Sequence, residues 1–361
     1  MEPVLFEVYP GLRNLPWRSI GNFPTPVRKL DRLGEKLGYE NIWIKQDDQS
    51  SDVYGGNKVR KLEFLFPDAL QKKKKTILTY GGIGTNHGLA TAVHGSRLGL
   101  NTLLLLVDQP LTGHVQENLL LFHHFGAQLC YAKNAAGAVL QSIRFFLSKR
   151  QTYYVPPGGS SPRGSLGFVA AAFELRKQIE EGQIPEPKYI FVALGSKGTM
   201  AGLLAGSRLA GLSSTIIGIR VTYPWMANEK TTANLANKVI DLMRKHDRKV
   251  PPVRFGAEDM HVLHDFFGTA YGAATPEGEE AIKMLEATED IRLDATYTGK
   301  AFAALLHFAR TQKESERSPI LFWNTFNSVN LTPLIKKDHD YKKLPESFHK
   351  FFRENLIPYL E

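Results

Sequence analysis

Short apolar runs alternate with amphipathic segments along this chain of 361 residues. The apolar runs are mostly unbroken, as strands covered on both faces of a sheet are. They are NIWIKQ, TILTY, NTLLLLV, AQLCYA, YIFVAL, TIIGIRV and PILFW. Between them, apolar positions recur at helical spacing, which predicts helices over residues 59–71, 86–98, 164–181 and 200–210. This alternation predicts α/β layers with largely parallel sheets.

Length and composition narrow the class of protein. The chain is long enough for two domains, and its 43% hydrophobic and 22% charged residues are typical of a globular protein. The N-terminal MEPVLFEVYP lacks the pattern of a signal peptide, and no apolar segment reaches the length of a membrane span. Cys130 is the single cysteine, so it forms no internal disulfide. We expect a cytoplasmic protein with no membrane partner.

The formal net charge of +9 raises the question of a nucleic-acid partner. The densest basic run, KKKK at 72–75, lies where a predicted helix ends, and cations are favourable at a helix C-terminus. No zinc-finger spacing or aromatic RNA-binding motif accompanies it. We therefore interpret the run as a solvated helix end and expect no nucleic acid, although the charge can help attract anionic small molecules.

Three glycine-rich turns lead into predicted helices. ALGSKGTMAG, residues 193–202, follows a strand, and its spacing fits neither a Walker loop nor a dinucleotide fingerprint. It is either a cup for one phosphate, with Ser196 and Thr199 as hydroxyl donors, or a connection without a ligand. In TYGGIGTNHGLA, residues 79–90, Thr85 or Asn86 either caps a helix or contacts a ligand. With PPGGSSPRGSLGF, residues 156–168, these turns suggest a phosphorylated cofactor or a carboxylate substrate.

A fourth segment, SDVYGGNKVRKLEFLF, places Lys58 at the start of a helix, where its ammonium opposes the positive end of the helix dipole. Lys58 is either an exposed first-turn residue or a lysine held to form a Schiff base.

Taken together, the motifs resemble those of the pyridoxal-phosphate enzymes that include D-cysteine desulfhydrase and 1-aminocyclopropane-1-carboxylate deaminase. The resemblance rests on GGNKVRKLEFL, GGIGTNH, GGSSPRGSLGFV, GSKGTMAGL, AYG and DATYTGKA, in this order. It implies the tryptophan-synthase-β-like fold, with two open, largely parallel twisted sheets flanked by helices, pyridoxal 5′-phosphate between the domains, and a homodimer. We expect a large cofactor-binding domain of residues 1–60 and 165–361 and a small α/β domain of residues 61–164.

The resemblance also implies roles for particular residues. Lys58 matches the Schiff-base lysine and general base, Lys61 a phosphate-contacting lysine, and Asn86 the partner of the pyridine 3′-oxygen. Thr85 replaces a serine that contacts the substrate, and Tyr271 and Tyr297 match two active-site tyrosines. The phosphate cup corresponds to Gly195, Ser196, Lys197, Gly198 and Thr199. No metal is implied.

Two threonines favour one reaction within the family. The deaminase carries Glu and Leu at the positions of Thr298 and Thr325, whereas the desulfhydrase carries Thr at both. A hydroxyl at the pyridine nitrogen leaves it less protonated than a carboxylate does. The sequence therefore favours α,β-elimination from D-cysteine, which gives pyruvate, sulfide and ammonia, with the deaminase or a related small amino-acid lyase as the alternative.

Several departures keep a further alternative open, a non-catalytic protein that binds pyridoxal phosphate. The family's GIQSN is GIGTN here, so Gly84 lacks an amide side chain. The family's HTGG is NTFN, which places Phe326 and Asn327 where glycines let the backbone approach the cofactor. Lys197 adds a positive charge inside the cup. Beyond the resemblance, residues 335–361 predict an amphipathic helix that packs against the large domain or a dimer partner.

Overall fold

The structure is a computed structural model that describes residues 2–133, 151–313, 317–335 and 340–353, together with Gly137, Leu140 and Phe145. Its strands are β1 (Val27–Lys29), β2 (Ile42–Gln46), β3 (Thr76–Gly82), β4 (Asn101–Val107), β5 (Gln128–Tyr131), β6 (Thr152–Tyr154), β7 (Tyr189–Leu194), β8 (Thr215–Arg220), β9 (His261–Leu263) and β10 (Ile320–Asn324). Its helices are α1 (Leu5–Val8), α2 (Asp31–Leu37), α3 (Asn57–Gln71), α4 (Asn86–Arg97), α5 (Gly113–His124), α6 (Pro162–Glu180), α7 (Gly198–Ala210), α8 (Glu229–His246), α9 (Pro276–Glu289), α10 (Thr298–Thr311) and α11 (Thr332–Ile335). Every apolar run forms a strand, and the four predicted helices differ from the observed ones by two residues at most at either end.

The chain divides into two compact units, the first Met1–Phe64 with Ser160–Ser328 and the second Leu65–Gly159 with Val329–Glu361. The sheet of the first unit has the order β1-β2-β10-β7-β8-β9. All its pairings are parallel except that β1 runs antiparallel to β2. Phe322, at the centre of β10, aligns with Ile44 on one side and Phe191 on the other. Apolar clusters cover both faces, which explains why these strands lack alternation in the sequence.

The second unit has a four-stranded parallel sheet of order β5-β4-β3-β6. Leu78, Leu103 and Leu105 form part of its core. The basic run at 72–75 follows the end of α3, as predicted, and Lys72 forms an ion pair with Asp68 at 2.8 Å. The two sheets, one mixed and one parallel, confirm the predicted fold class.

The C-terminal segment differs from its prediction. Residues 340–353 form two short 3₁₀ helices, Tyr341–Lys343 and Glu346–Phe352, rather than one amphipathic helix. Phe348 and Phe351 pack on Tyr131 of the second unit, with ring centroids 5.9 and 5.7 Å from it. Their spacing of three residues suits the period of a 3₁₀ helix. The aromatic surface that they cover belongs to the second unit, whereas the sequence predicted packing on the large domain or on a dimer partner. Residues 354–361 lie outside the described part of the chain.

A buried network of charges anchors the first turns of α3 in the first unit. The Arg60 guanidinium donates two hydrogen bonds to Asp47, at 2.9 and 2.7 Å, and two to Glu174, at 2.9 and 3.0 Å. Lys45 donates to the same Glu174 at 2.5 Å, and the Trp323 indole donates to Asp47 at 2.8 Å. Because bidentate pairing fixes the guanidinium in two directions, α3 is held firmly two residues beyond Lys58.

Candidate active site

Three of the candidate site segments in the first unit follow the carboxyl ends of neighbouring strands. The segment after β2 leads to the start of α3, Gly195 follows β7, and Thr325 follows β10. These strands are parallel neighbours in the sheet, so their carboxyl ends meet at one edge. In open α/β sheets, this edge is where ligands bind.

The start of α3 is fitted closely against the turn after β10. The amide of Asn57 donates to the carbonyl oxygen of Thr325 at 3.2 Å, and the amide of Gly55 donates to the Asn327 side chain at 2.7 Å. Gly56 has φ +90°, and a Cβ there would lie 2.6 Å from the carbonyl oxygen of Phe326. Only glycine fits at this position. The unusual NTFN turn therefore holds α3 in place.

Lys58 is linked to the glycine-rich turn through Asn57. Its ammonium donates to the Asn57 side-chain oxygen at 2.6 Å, and the Asn57 amide donates to the Thr199 hydroxyl at 3.0 Å. Burial lowers the pKa of Lys58 to about 8, against the opposing effect of the Asp294 carboxylate. A lysine with this pKa is partly neutral, and therefore nucleophilic, near physiological pH.

Lys61 lies one helical turn after Lys58 and is buried. Burial and the neighbouring Lys58 ammonium lower the pKa of Lys61 well below its ordinary value. An anion close to both amines would offset this repulsion and favour their charged forms. The pair is thus suited to hold a phosphate.

The glycine-rich turn at 195–199 leads into α7, as the phosphate-cup hypothesis requires. Ser160 connects the third glycine-rich segment to it, since its hydroxyl donates to Ser196 at 2.8 Å and accepts from the amide of Gly198 at 3.0 Å. Lys197 has φ +73°, and its ammonium donates to the carbonyl oxygen of Met226. The Lys197 side chain is therefore engaged with a neighbouring loop, and backbone amides and hydroxyls line the turn.

Tyr271 and Tyr297 lie together, with their hydroxyls hydrogen-bonded and their rings edge to face at 6.1 Å. Burial raises the pKa of both, most strongly for Tyr297, and the Asp294 carboxylate adds to the effect. Both hydroxyls are therefore protonated at neutral pH. Gly195 faces this pair, because a Cβ there would lie 3.4 Å from the Tyr297 ring.

The two threonines that favoured elimination differ in their hydrogen bonds. The Thr298 hydroxyl donates to the Asp294 carboxylate at 2.5 Å, and the amides of Tyr297 and Thr298 donate to the same carboxylate. The one proton of Thr298 is thus used to fix the start of α10. The Thr325 hydroxyl has no hydrogen-bond partner among the residues that the structure describes, so it is the one that can donate to a ligand.

Thr85 and Asn86 belong to the second unit. Thr85 caps α4, because its hydroxyl accepts from the amide of Gly88 at 3.3 Å. The side-chain oxygen of Asn86 lies 3.0 Å from His114 Nε2 and 3.3 Å from the amide nitrogen of Asn118. Donors on this oxygen leave the amide NH₂ of Asn86 for another acceptor.

Sequence reasoning missed Asn57, Ser160 and Asp294, which join the predicted residues to one another. Each stands inside a motif already singled out, in GGNK, GGSSP and DATYTG. A polar residue with a short side chain beside a glycine or at a helix start is a signal that could have found them.

Comparison with known proteins identifies relatives over most of the chain. Residues 18–325 match the family described as "Pyridoxal-phosphate dependent enzyme". The D-cysteine desulfhydrase of Salmonella newport is 35% identical over 324 residues, which cover 87% of this chain and 94% of that protein. The D-cysteine desulfhydrase of Salmonella typhimurium is 36% identical over 312 residues, which cover 84% and 91%.

Solved structures share the fold. A crystal structure of a homologue of ACC deaminase, the 1-aminocyclopropane-1-carboxylate enzyme, superposes with a TM-score of 0.75 and 30% identity, and the match covers 90% of this chain and 95% of that one. A fungal L-serine ammonia-lyase from Rhizomucor miehei, at 16% identity and a TM-score of 0.59, covers 90% and 100% and shows likeness of fold alone. The resemblance that the motifs suggested is confirmed.

Proposed function

We propose, from the premise that this chain belongs to the family of pyridoxal-phosphate-dependent enzymes and is a lyase, that its substrate is D-cysteine and its products are pyruvate, sulfide and ammonia. The observation that carries the assignment is Lys58, partly neutral at the start of α3 and joined through Asn57 to Thr199 of the glycine-rich turn. The available hydroxyl of Thr325, together with threonine rather than a carboxylate at 298, favours D-cysteine over the deaminase substrate.

The residues present fit pyridoxal phosphate. Lys58 is the amine that would bind its aldehyde, the turn at 195–199 with Lys61 would hold its phosphate, and Asn86 would donate to its 3′-oxygen. Thr325 would donate to its ring nitrogen. When bound, the cofactor supplies an electron sink for the bond broken at the substrate Cα.

The chain's own residues would bind the substrate and move protons. Lys58 would accept the α-proton of the substrate as general base. Tyr271 and Tyr297, protonated and hydrogen-bonded to each other, would orient the substrate or return a proton. The N-terminus of α4 at Thr85 would hold the substrate carboxylate, because amides at a helix start favour an anion.

The direct test is an assay of the purified, cofactor-loaded protein with D-cysteine, L-cysteine, D-serine and 1-aminocyclopropane-1-carboxylate. We expect pyruvate, sulfide and ammonia from D-cysteine, no such release by Lys58→Ala, and full release by the surface variant Lys36→Ala. Release of 2-oxobutyrate from the cyclopropane substrate instead would favour the deaminase. A visible cofactor band without turnover of any of these would contradict the assignment to D-cysteine.

We also propose a cytoplasmic homodimer, which the family resemblance supports. Within the described ranges, no helix has the length and apolarity needed to cross a membrane. Sedimentation equilibrium of the loaded protein would give twice the chain mass of 40.4 kDa if the dimer forms.

A further inference from the structure

We infer that Gln109 supplies the amide donor for the substrate carboxylate that Gly84 lacks, and so determines the preference for carboxylated ligands. This inference rests on the proposed function, in which the turn before α4 holds that carboxylate. The relatives' motif has a glutamine where this chain has Gly84. A glutamine from another strand end, Gln109, borders Gly84 here.

The topology of the second unit brings Gln109 to the turn. β3 and β4 are parallel neighbours, with Gly82 aligned to Val107 at their carboxyl ends. The turn of Gly84 and Thr85 follows β3, and Gln109 follows β4. The amide of Gly84 donates to Gln109 Oε1 at 3.2 Å. That bond sets the orientation of the Gln109 side-chain amide, because only its oxygen can accept.

The glycines make room for this side chain. A Cβ at Gly82 would lie 1.9 Å from Gln109 Oε1, and a Cβ at Gly84 would lie 3.1 Å from Gln109 Nε2 and 2.7 Å from Val115 Cγ2. A side chain at 84 would therefore crowd Val115 first and the amide end of Gln109 second.

The free end of Gln109 has the chemistry that a carboxylate needs. Its Oε1 is used by Gly84, and its Nε2 donates to none of the residues that the structure describes. An NH₂ next to the start of α4 adds a directed donor to the helix amides. A hydrogen bond from such a donor to a charged group is stronger than one between neutral groups.

The test uses two probes that attack the lysine-bound cofactor, aminooxyacetate, which carries a carboxylate, and methoxyamine, which does not. The rate constant with which each abolishes the visible cofactor band is measured for the native protein, Gln109→Glu, Gln109→Met and the control Gln116→Glu. Glu at 109 keeps an acceptor for the Gly84 amide, but it removes the donor and adds a negative charge. Gln116, whose amide donates to the Phe351 carbonyl at 2.7 Å, gives the same charge change on α5.

The ratio of the two rate constants, aminooxyacetate over methoxyamine, is the quantity that decides. We expect Gln109→Glu to lower it at least about tenfold, Gln109→Met to lower it in the same direction, and Gln116→Glu to leave it unchanged. An unchanged ratio in both Gln109 variants overturns the inference while leaving the proposed function intact. If the native protein shows no band, the proposed function fails and the inference with it. A band that disappears equally fast with both probes overturns the inference alone.

Discussion

The lowered pKa of Lys58 predicts how fast the cofactor-free protein captures pyridoxal phosphate at different pH. Only the neutral amine attacks an aldehyde, so the capture rate follows the neutral fraction of Lys58. With a pKa of about 8 instead of 10.5, this fraction at pH 7 is roughly 300-fold larger than that of an ordinary lysine. The rate should therefore rise with pH up to about 8 and level off above it.

Stopped-flow absorbance between pH 6 and 10 measures this profile. The reaction of pyridoxal phosphate with free Nα-acetyl-lysine amide, measured in the same buffers, identifies the part of the pH dependence that comes from titration of the cofactor itself. Because the Asp294 carboxylate raises the pKa of Lys58, Asp294→Asn should move the midpoint to lower pH, whereas the surface variant Asp241→Asn should not. A capture rate that still climbs above pH 9.5 would show that Lys58 is an ordinary solvated lysine.

Three further predictions concern stability and the phosphate cup. Arg60→Met leaves two buried carboxylates without their main partner and should lower the free energy of unfolding in urea by about 3–5 kcal/mol. The control Arg254→Met breaks an exposed ion pair and should lower it by less than about 1 kcal/mol. Equal losses in the two variants would refute the role of the network. Burial raises the pKa of Glu63 to about 7 from 4.5, so its contribution to stability is full below pH 4.5 and is lost as pH rises through 7. Between pH 5 and pH 8 the free energy of unfolding should therefore fall less in Glu63→Gln than in the native protein. Equal falls in both proteins would contradict this. Gly198→Ala would bring a Cβ within 2.6 Å of the Ser160 hydroxyl and should raise the pyridoxal-phosphate concentration for half-loading about fivefold, which a titration of the visible band can check.

The strands and main helices could be predicted because their patterns are local. Runs such as NTLLLLV carry their own signal, since a strand covered on both faces has no polar position. The short edge strands β1, β6 and β9 have three residues each, too few for a periodic pattern. The prediction for the C-terminal segment was wrong because its partner, Tyr131, is distant in sequence. A pattern of apolar residues does not say which surface an apolar face will cover.

In the candidate site, too, local motifs could be predicted and contacts between distant segments could not. Lys58, the glycine-rich turns and the tyrosines belong to short motifs that are each local in the sequence and point to a family when taken together. Contacts between motifs could not be read from the sequence, such as the link from Lys58 through Asn57 to Thr199, or the ammonium of Lys197 on the Met226 carbonyl. The interpretation of Gly84 changed most. In the sequence it is a position that lacks an amide side chain, whereas in the fold its backbone amide is bonded to the side chain of Gln109. The roles of these residues toward the cofactor stay predictions until the experiments above are done.

The position of β10 has a consequence for synthesis of the chain on the ribosome. β10 fills the gap between β2 and β7, and residues 42–46 pair with residues 320–324. Until residue 324 has left the exit tunnel, the nascent chain carries two unsatisfied apolar strand edges, which are templates for aggregation. Closing so long a loop is also slow. We expect ribosome-bound chains that stop before residue 320 to be sensitive to protease and dependent on chaperones, and chains released with β10 to become resistant.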